Sequence, residues 1–262
     1  MPYFVLHLSL RFFYLFTKQK FTHNEKINLS AYCTSVFFFC TEKNVVSVLR
    51  VFPKGDKVAS FEKALAAHSQ KYHTGTWKWR VFTVESGPDA GGYHITEGPM
   101  SWDDVDTRGN LGKAHQADWN MNVTPLLTDR GTSSYSVYRA DLSTITLTDY
   151  SNKIAINHVF PKPGYLDDTE DLIKKLKKVW EAGGQTIAVY EASSSGPQQY
   201  AFVTRYKQGL KERVTGFRKP MKERYIQSNG EGSWDEYLKG VRSFIDHSWS
   251  ELLFFDPELS SK

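Results

Sequence analysis

The chain has 262 residues, of which 40% are hydrophobic, 24% charged and 15% aromatic, and a net charge of +4. At roughly 150 residues per domain this makes one large or two small domains, long enough for a core that needs no disulfide or metal support. The composition excludes collagen, coiled coil and wholesale disorder, and no run of about 18 apolar residues marks a transmembrane helix.

The charge is unevenly placed. Residues 1–44 carry a net +3, whereas the rest holds 28 basic and 27 acidic residues. A nucleic-acid binder concentrates basic residues on its folded domain, so that class is not expected. Both cysteines, Cys33 and Cys40, also lie in the first 44 residues. The segment holds clumped aromatics (Phe12-Phe13-Tyr14 and Phe37-Phe38-Phe39) and an apolar run, Leu29–Cys40, behind Lys18, Lys20 and Lys26. That order resembles a secretory n-region and h-region, without an A-x-A cleavage site. The first expectation is a degenerate leader, then an extension outside the fold, then a membrane anchor. Location follows from it: secreted or periplasmic if the segment derives from a signal peptide, otherwise cytoplasmic.

From residue 45 onward the chain repeats itself. Val51-Phe52-Pro53-Lys54-Gly55 returns as Val159-Phe160-Pro161-Lys162-Pro163-Gly164, each closing a β-rich run, Val45–Phe52 and Lys153–Phe160. A helical stripe follows each copy. In the first, Val58, Phe61, Leu65, His68 and Tyr72 are three and four apart; in the second, Thr169, Leu172, Ile173, Leu176, Val179 and Trp180 form the same pattern. Strands are then expected at Thr76–Val84 and Gln185–Ala192, each leading to a Gly-Pro turn, Gly87-Pro88 and Gly196-Pro197. Short alternating strands come next, at Tyr93–Thr96 and Tyr200–Thr204, then a second helical region in each half. Ser233-Trp234-Asp235-Glu236 reads as a capping box opening the last helix. The halves close on matched tails, Asp141-Leu142-Ser143 and Glu258-Leu259-Ser260.

Each half therefore reads β-α-β-β-α-β, the ferredoxin-like unit, which carries its helices on one face of its sheet and leaves the other to be covered. The fold class expected is α+β, with two such repeats packed sheet to sheet. The boundaries are 1–44 for the leader or extension, 45–143 for the first repeat, 144–152 for a linker rich in Ser, Thr and Asp, and 153–262 for the second repeat. This doubled unit resembles the dimeric α/β-barrel superfamily, which includes antibiotic-biosynthesis-type monooxygenases and NIPSNAP-like proteins. It looks most like bacterial members that carry both units on one chain. The resemblance implies a barrel between two facing sheets, with helices outside.

Histidines are the first candidates for chemistry. His94, between Tyr93 and Ile95 on a strand, points opposite to its neighbours and so into the barrel. His115 and Trp119 are four apart and share a helix face. His68 reads as a core or helix-edge histidine, His73 as a cation favoured by a helix C-terminus, and His158 lies on a strand beside Asn157. Heme-degrading members of the superfamily carry a helix histidine that ligates heme, paired with a first-strand asparagine and a third-strand tryptophan. His115 resembles that histidine, yet Val45–Phe52 has no asparagine and Tyr93–Glu97 no tryptophan. In the second half Asn157 is present, but Tyr225 falls near the histidine position. Heme degradation is not expected, and no cofactor is assigned. No established metal spacing appears, since His68 and His73 are five apart and no cysteine follows residue 44.

On Trp77-Lys78-Trp79-Arg80 one strand face is indole-rich and the other cationic. Arg80 and His94 are expected inside the barrel, with Tyr190 and Arg205 from the second half, lining a site for an anionic or aromatic small molecule. His94 and His115 are the acid–base candidates near neutral pH, and Trp119 an apolar wall. The first half is expected to dominate the site. Two functions follow: a small-molecule-binding barrel, extending to a cofactor-independent oxygenase, or a non-catalytic secreted or periplasmic interaction module. A cavity holding a histidine favours the first, and an apolar-filled lumen the second. The partners expected are a small-molecule ligand and, as an open alternative, a second copy of the chain; neither nucleic acid nor an integral membrane span is expected.

Overall fold

A computed structural model describes residues 42–108, 111–193 and 195–262. The expected leader, 1–44, lies outside them except for its last three residues.

The first half runs β1 (Val45–Pro53), α1 (Val58–Tyr72), β2 (Trp79–Ser86), β3 (Tyr93–Met100), α2 (Trp102–Arg108), α3 (Lys113–Asp118) and β4 (Leu127–Tyr138). The second runs β5 (Lys153–Pro161), α4 (Leu166–Ala182), β6 (Ile187–Ala192), β7 (Tyr200–Arg205), α5 (Met221–Asn229), α6 (Ser233–Phe244) and β8 (Ile245–Asp256). Each half is the expected β-α-β-β-α-β unit. Its second helical region is broken: α3 passes through a π-helical turn, Trp119–Val123, before β4, and α5 is separated from α6. Around the barrel the order is β1-β3-β2-β8-β5-β7-β6-β4, antiparallel and closed. The halves join twice, by β2 with β8 and by β4 with β6, so the two sheets form one barrel.

Period-two alternation sorts every strand into two faces. Outward residues meet the helices. Phe61 and Leu65 of α1 pack on Trp79, Val81, Tyr93 and Ile95, and Ile173, Val179 and Trp180 of α4 pack on Ile187, Val189, Tyr200 and Phe202. Inward residues form a third core, including Phe82, Val84, Ile154, Ile156 and Leu253.

The sequence repeat has a structural counterpart. Leu142 of the first tail packs into the outer core of the second half, and Leu259 of the second tail into that of the first. Ser143 Oγ accepts the Val189 N–H at 2.8 Å, and Ser260 Oγ accepts the Val81 N–H at 2.9 Å. The exchange of tails is what a pseudo-twofold between the repeats produces. The repeated lysines match too: Lys54 Nζ donates to the Pro125 carbonyl, and Lys162 Nζ to those of Arg242 and Ser243.

The capping box is a correction. Gly232, in the left-handed region at φ 77°, opens α6, and the N–H groups of Asp235 and Glu236 bond to its carbonyl. Ser233 is already helical, so its hydroxyl makes no cap. Among the described residues no helix is long and apolar enough to cross a membrane.

Gly87, at φ 103°, holds the β2–β3 turn against β8: a Cβ there would lie 2.9 Å from the Ser250 carbonyl oxygen and from Glu251 Cβ. Gly87→Ala is expected to cost about 1–3 kcal/mol through strain and displaced backbone. Urea unfolding at pH 7 checks this; an unchanged midpoint would mean that the turn yields freely.

Candidate functional site

The closed sheets do not fill their interior. A cavity of about 520 Å³ runs through the lumen, lined by side chains from both halves. Its wall is mixed: Val46, Val48, Ile154 and Ile156 are apolar, and Ser134, Ser136, His94 and His158 are polar.

A buried charged group forms one part of the wall. Arg50 of β1 grips Glu251 of β8 with two hydrogen bonds, Nη1 to Oε2 at 2.9 Å and Nη2 to Oε1 at 2.6 Å. His158 Nε2 lies 2.9 Å from the same Oε1, and Gln199 hydrogen-bonds to His158 Nδ1. With Gln199 donating to Nδ1, the imidazole proton sits on Nε2 and points at the carboxylate. His158 also stacks on Trp249 at 3.9 Å between ring centres. Burial works to raise the Glu251 pKa, but the bonds from His158 and Arg50 outweigh it and bring it down to about 2. His94 shows the opposite balance. Burial, then the Arg50 charge, lowers its pKa to about 3. Its Nδ1 has no hydrogen-bond partner among the described residues. His94 is thus a neutral imidazole at neutral pH, and the expectation that it takes up a proton there is corrected: a buried cation beside Arg50 is too costly.

Another part of the wall holds two guanidinium groups without carboxylate partners among the described residues. Arg205 is buried and donates from Nη1 to the carbonyls of Thr146 and Asp149, at 2.9 and 2.8 Å, and from Nη2 to the Tyr190 hydroxyl at 2.9 Å. Arg80 is half-buried between the rings of Tyr150 and Phe255, 4.0 and 4.2 Å from their centres. Its Nε has no partner among the described residues. Burial and the nearby Arg205 charge both lower the Arg80 pKa. A recess of about 420 Å³ shares Arg80, Tyr150 and Gly98 with the lumen, so this end adjoins the surface. The expected linker takes part: Ile145 and Leu147 pack on the lumen core, and Leu147, Tyr150 and Ser151 line the cavity.

Four of the six residues singled out in the sequence, Arg80, His94, Tyr190 and Arg205, meet in this cavity. His115 and Trp119 do not, which is a correction. They follow β3 on the helical side, and helices pack on the face opposite to the lumen. There His115 joins His68 and His73, with the three ligand atoms within 4.8 Å of one another. Trp79 of β2 is likewise under α1, while Trp77 lies in a 3₁₀ turn rather than on the strand. His73 is buried and its pKa is lowered, burial being the main cause, so it does not act as a charged C-terminal group. Nor does the first half dominate the cavity: His158, Tyr190, Arg205 and Trp249 come from the second. Arg50 and Glu251 were not singled out, and His158 was noted only as lying on a strand beside Asn157, although alternation with Val48, Ile156 and Leu253 places each on the inward face.

No family model and no curated protein matches the sequence. Solved structures do match in fold. A candidate monooxygenase from Fusobacterium nucleatum subsp. nucleatum superposes with a TM-score of 0.50 at 16% identity, covering 80% of this chain and 91% of that one. An anthrone oxidase-like protein gives a TM-score of 0.51 at 12% identity, covering 82% of this chain and 92% of that one. The chain thus has the dimeric α/β-barrel fold with both ferredoxin-like units in one polypeptide.

Proposed function

We propose that the barrel binds a small aromatic anion, a carboxylate or phenolate, with the charged group at the Arg80–Arg205 end and the ring in the lumen. The observation that carries this reading is the pair of guanidinium groups facing one cavity with only neutral acceptors and aromatic rings for company. A desolvated cation of this kind is stabilised by an anion, and a planar guanidinium suits a two-oxygen group. The volume is in the range of small-molecule sites. The apolar stretch of wall and the rings of Phe82 and Trp249 suit an arene. His94 supplies a neutral hydrogen-bonding group rather than a cation.

An oxygenase without cofactor would need a base to take the substrate proton. His94, at about 3, is a weak one, so a substrate already ionised suits this site better than one that must be deprotonated within it. The reading therefore rests on binding, and a filled interior of the kind an interaction module would have is not what the lumen contains.

Salicylate, benzoate and 1-naphthoate, tested by calorimetry against the full chain, are suitable probes. Arg80→Gln and Arg205→Gln are each expected to weaken the best of them by at least tenfold, the loss of one charged hydrogen bond. Raised salt should weaken wild-type binding less than it would at an exposed site. Ligands that bind wild type and both variants equally would remove the reading.

A further inference from the structure

On the helical side of the first sheet, away from the lumen, three imidazoles converge. His68 and His73 come from the end of α1 and the residue after it, and His115 from α3. His73 Nε2 is 3.4 Å from His68 Nε2 and 3.3 Å from His115 Nε2. Tetrahedral bonds of about 2.05 Å from one ion to imidazole nitrogens put those nitrogens about 3.3 Å apart. Two of the three separations already have that value, and the third lies within 4.8 Å.

The remaining ring nitrogens explain why the arrangement is not an ordinary hydrogen-bond network. His68 Nδ1 is 2.7 Å from Asp118 Oδ2, and His73 Nδ1 is 2.9 Å from Glu97 Oε2. Glu97 also accepts from Trp79 Nε1 at 2.8 Å and from Arg108 Nε at 2.7 Å. With these donors around it, the Glu97 carboxylate acts as the acceptor. Both rings therefore carry their proton on Nδ1. Two bare lone pairs, on His68 Nε2 and His73 Nε2, then face each other. His115 Nε2, beside His73, has one proton at most in its neutral form and satisfies one lone pair. A cation accepts all three.

We propose that His68, His73 and His115 bind one divalent transition-metal ion of the zinc class through their Nε2 atoms, with Asp118 and Glu97 as positioning residues on the opposite ring nitrogens. A carboxylate behind each ligating imidazole is the usual support for such a site, orienting the ring and raising its donor strength. His73 is further held by stacking on Trp79, 3.5 Å between centres and 22° between planes. Trp119 packs edge-on to His68 at 5.2 Å. Three nitrogen donors suit zinc, copper or nickel rather than magnesium or calcium, and three protein ligands leave a fourth position for water or a small ligand. His115 directs Nε2 at His73, 3.3 Å away, the separation of two ligands on one small ion.

The test uses the full chain, stripped with EDTA and titrated with Zn²⁺ and with Co²⁺ alone. The expected result is one equivalent bound, with the visible bands of tetrahedral Co²⁺. His115→Ala, the least buried of the three, should weaken Zn²⁺ binding at least 100-fold with the circular dichroism spectrum retained. His73→Ala should do the same, and if it fails to fold, His115→Ala decides. Asp118→Asn should weaken binding about 10-fold or more while leaving the metal-free melting temperature near wild type. Absence of saturable binding to the wild type would overturn the proposal. So would binding that survives His115→Ala but is lost in a Cys33→Ser, Cys40→Ser variant, which would assign the ion to thiols.

Discussion

Glu251→Ala should destabilise the protein by about 3–5 kcal/mol, the range for removing one partner of a buried, hydrogen-bonded ion pair. The Glu251 side chain is fully buried and the Arg50 side chain is 6% exposed, so neither can turn to water without opening the barrel. Without Glu251, Arg50 keeps only Asp89 as a carboxylate partner among the described residues, 3.7 Å from its Nε, and Asp89 is shared with Arg130. His158 loses the acceptor for its Nε2 proton at the same time. The cost is therefore that of a stranded guanidinium, not the worth of the pair. Replacing both partners, Arg50→Met with Glu251→Leu, should recover most of the loss, because the buried charge goes with its counterion. Urea unfolding of the wild type, Arg50→Met, Glu251→Leu and the double variant closes the cycle. A loss below about 1 kcal/mol in Glu251→Ala would mean that water reaches Arg50 through the lumen.

The pair also marks what local pattern can and cannot disclose. Arg50 and Glu251 are 201 positions apart, and nothing in either neighbourhood points to the other. The order of elements was legible because the period switches cleanly from two to 3.6 in each half. The repeated Val-Phe-Pro-Lys run and the Leu-Ser tails were legible because the same contacts are made twice. His94 could be assigned to the lumen from strand alternation alone, and Arg80 with it. Tyr150 could not, because a coil has no periodicity to give its direction, and here the coil turns in to line the cavity. His68, His73 and His115 show the same limit in another form. No ligand spacing within one helix announces them, since α1 supplies one, the residue after it a second, and α3 brings the third across. Local rules also fail where a stronger one intervenes, as when Gly232 opens α6 one residue before the serine that looked like its cap.

Acid should unfold the protein in a way that His94 makes visible. Its pKa is about 3 in the barrel, against 6.5 for an ordinary histidine. The groups that act on it are Arg50 on the adjacent strand β1 and, from farther round the barrel, Glu251 on β8 and His158 on β5. Burial, then the Arg50 charge, lowers the value, and Glu251 opposes them. Between pH 6.5 and 3 the unfolded chain holds a proton on this residue that the folded chain does not. Stability is then fully present above pH 6.5 and falls as pH drops toward 3, by up to about 1.4 kcal/mol per pH unit. Glu251 adds a second step of the same sign, starting lower. Its folded value is about 2 against an ordinary 4.5, so its contribution is present above pH 4.5 and is lost as pH falls through 2. The wild type should therefore lose stability gently below pH 6.5 and more steeply below 4.5. His94→Leu keeps a buried apolar side chain and removes the first step alone. The stability of wild type minus that of the variant, measured by urea unfolding from pH 7.5 to 4.5, should fall with a slope approaching one proton once pH is below about 6. In parallel, the His94 ring resonances should stay at their neutral positions through pH 5. Parallel stability curves for the two proteins, or a ring titrating near pH 6.5, would show instead that water and protons enter the lumen and reach His94 freely.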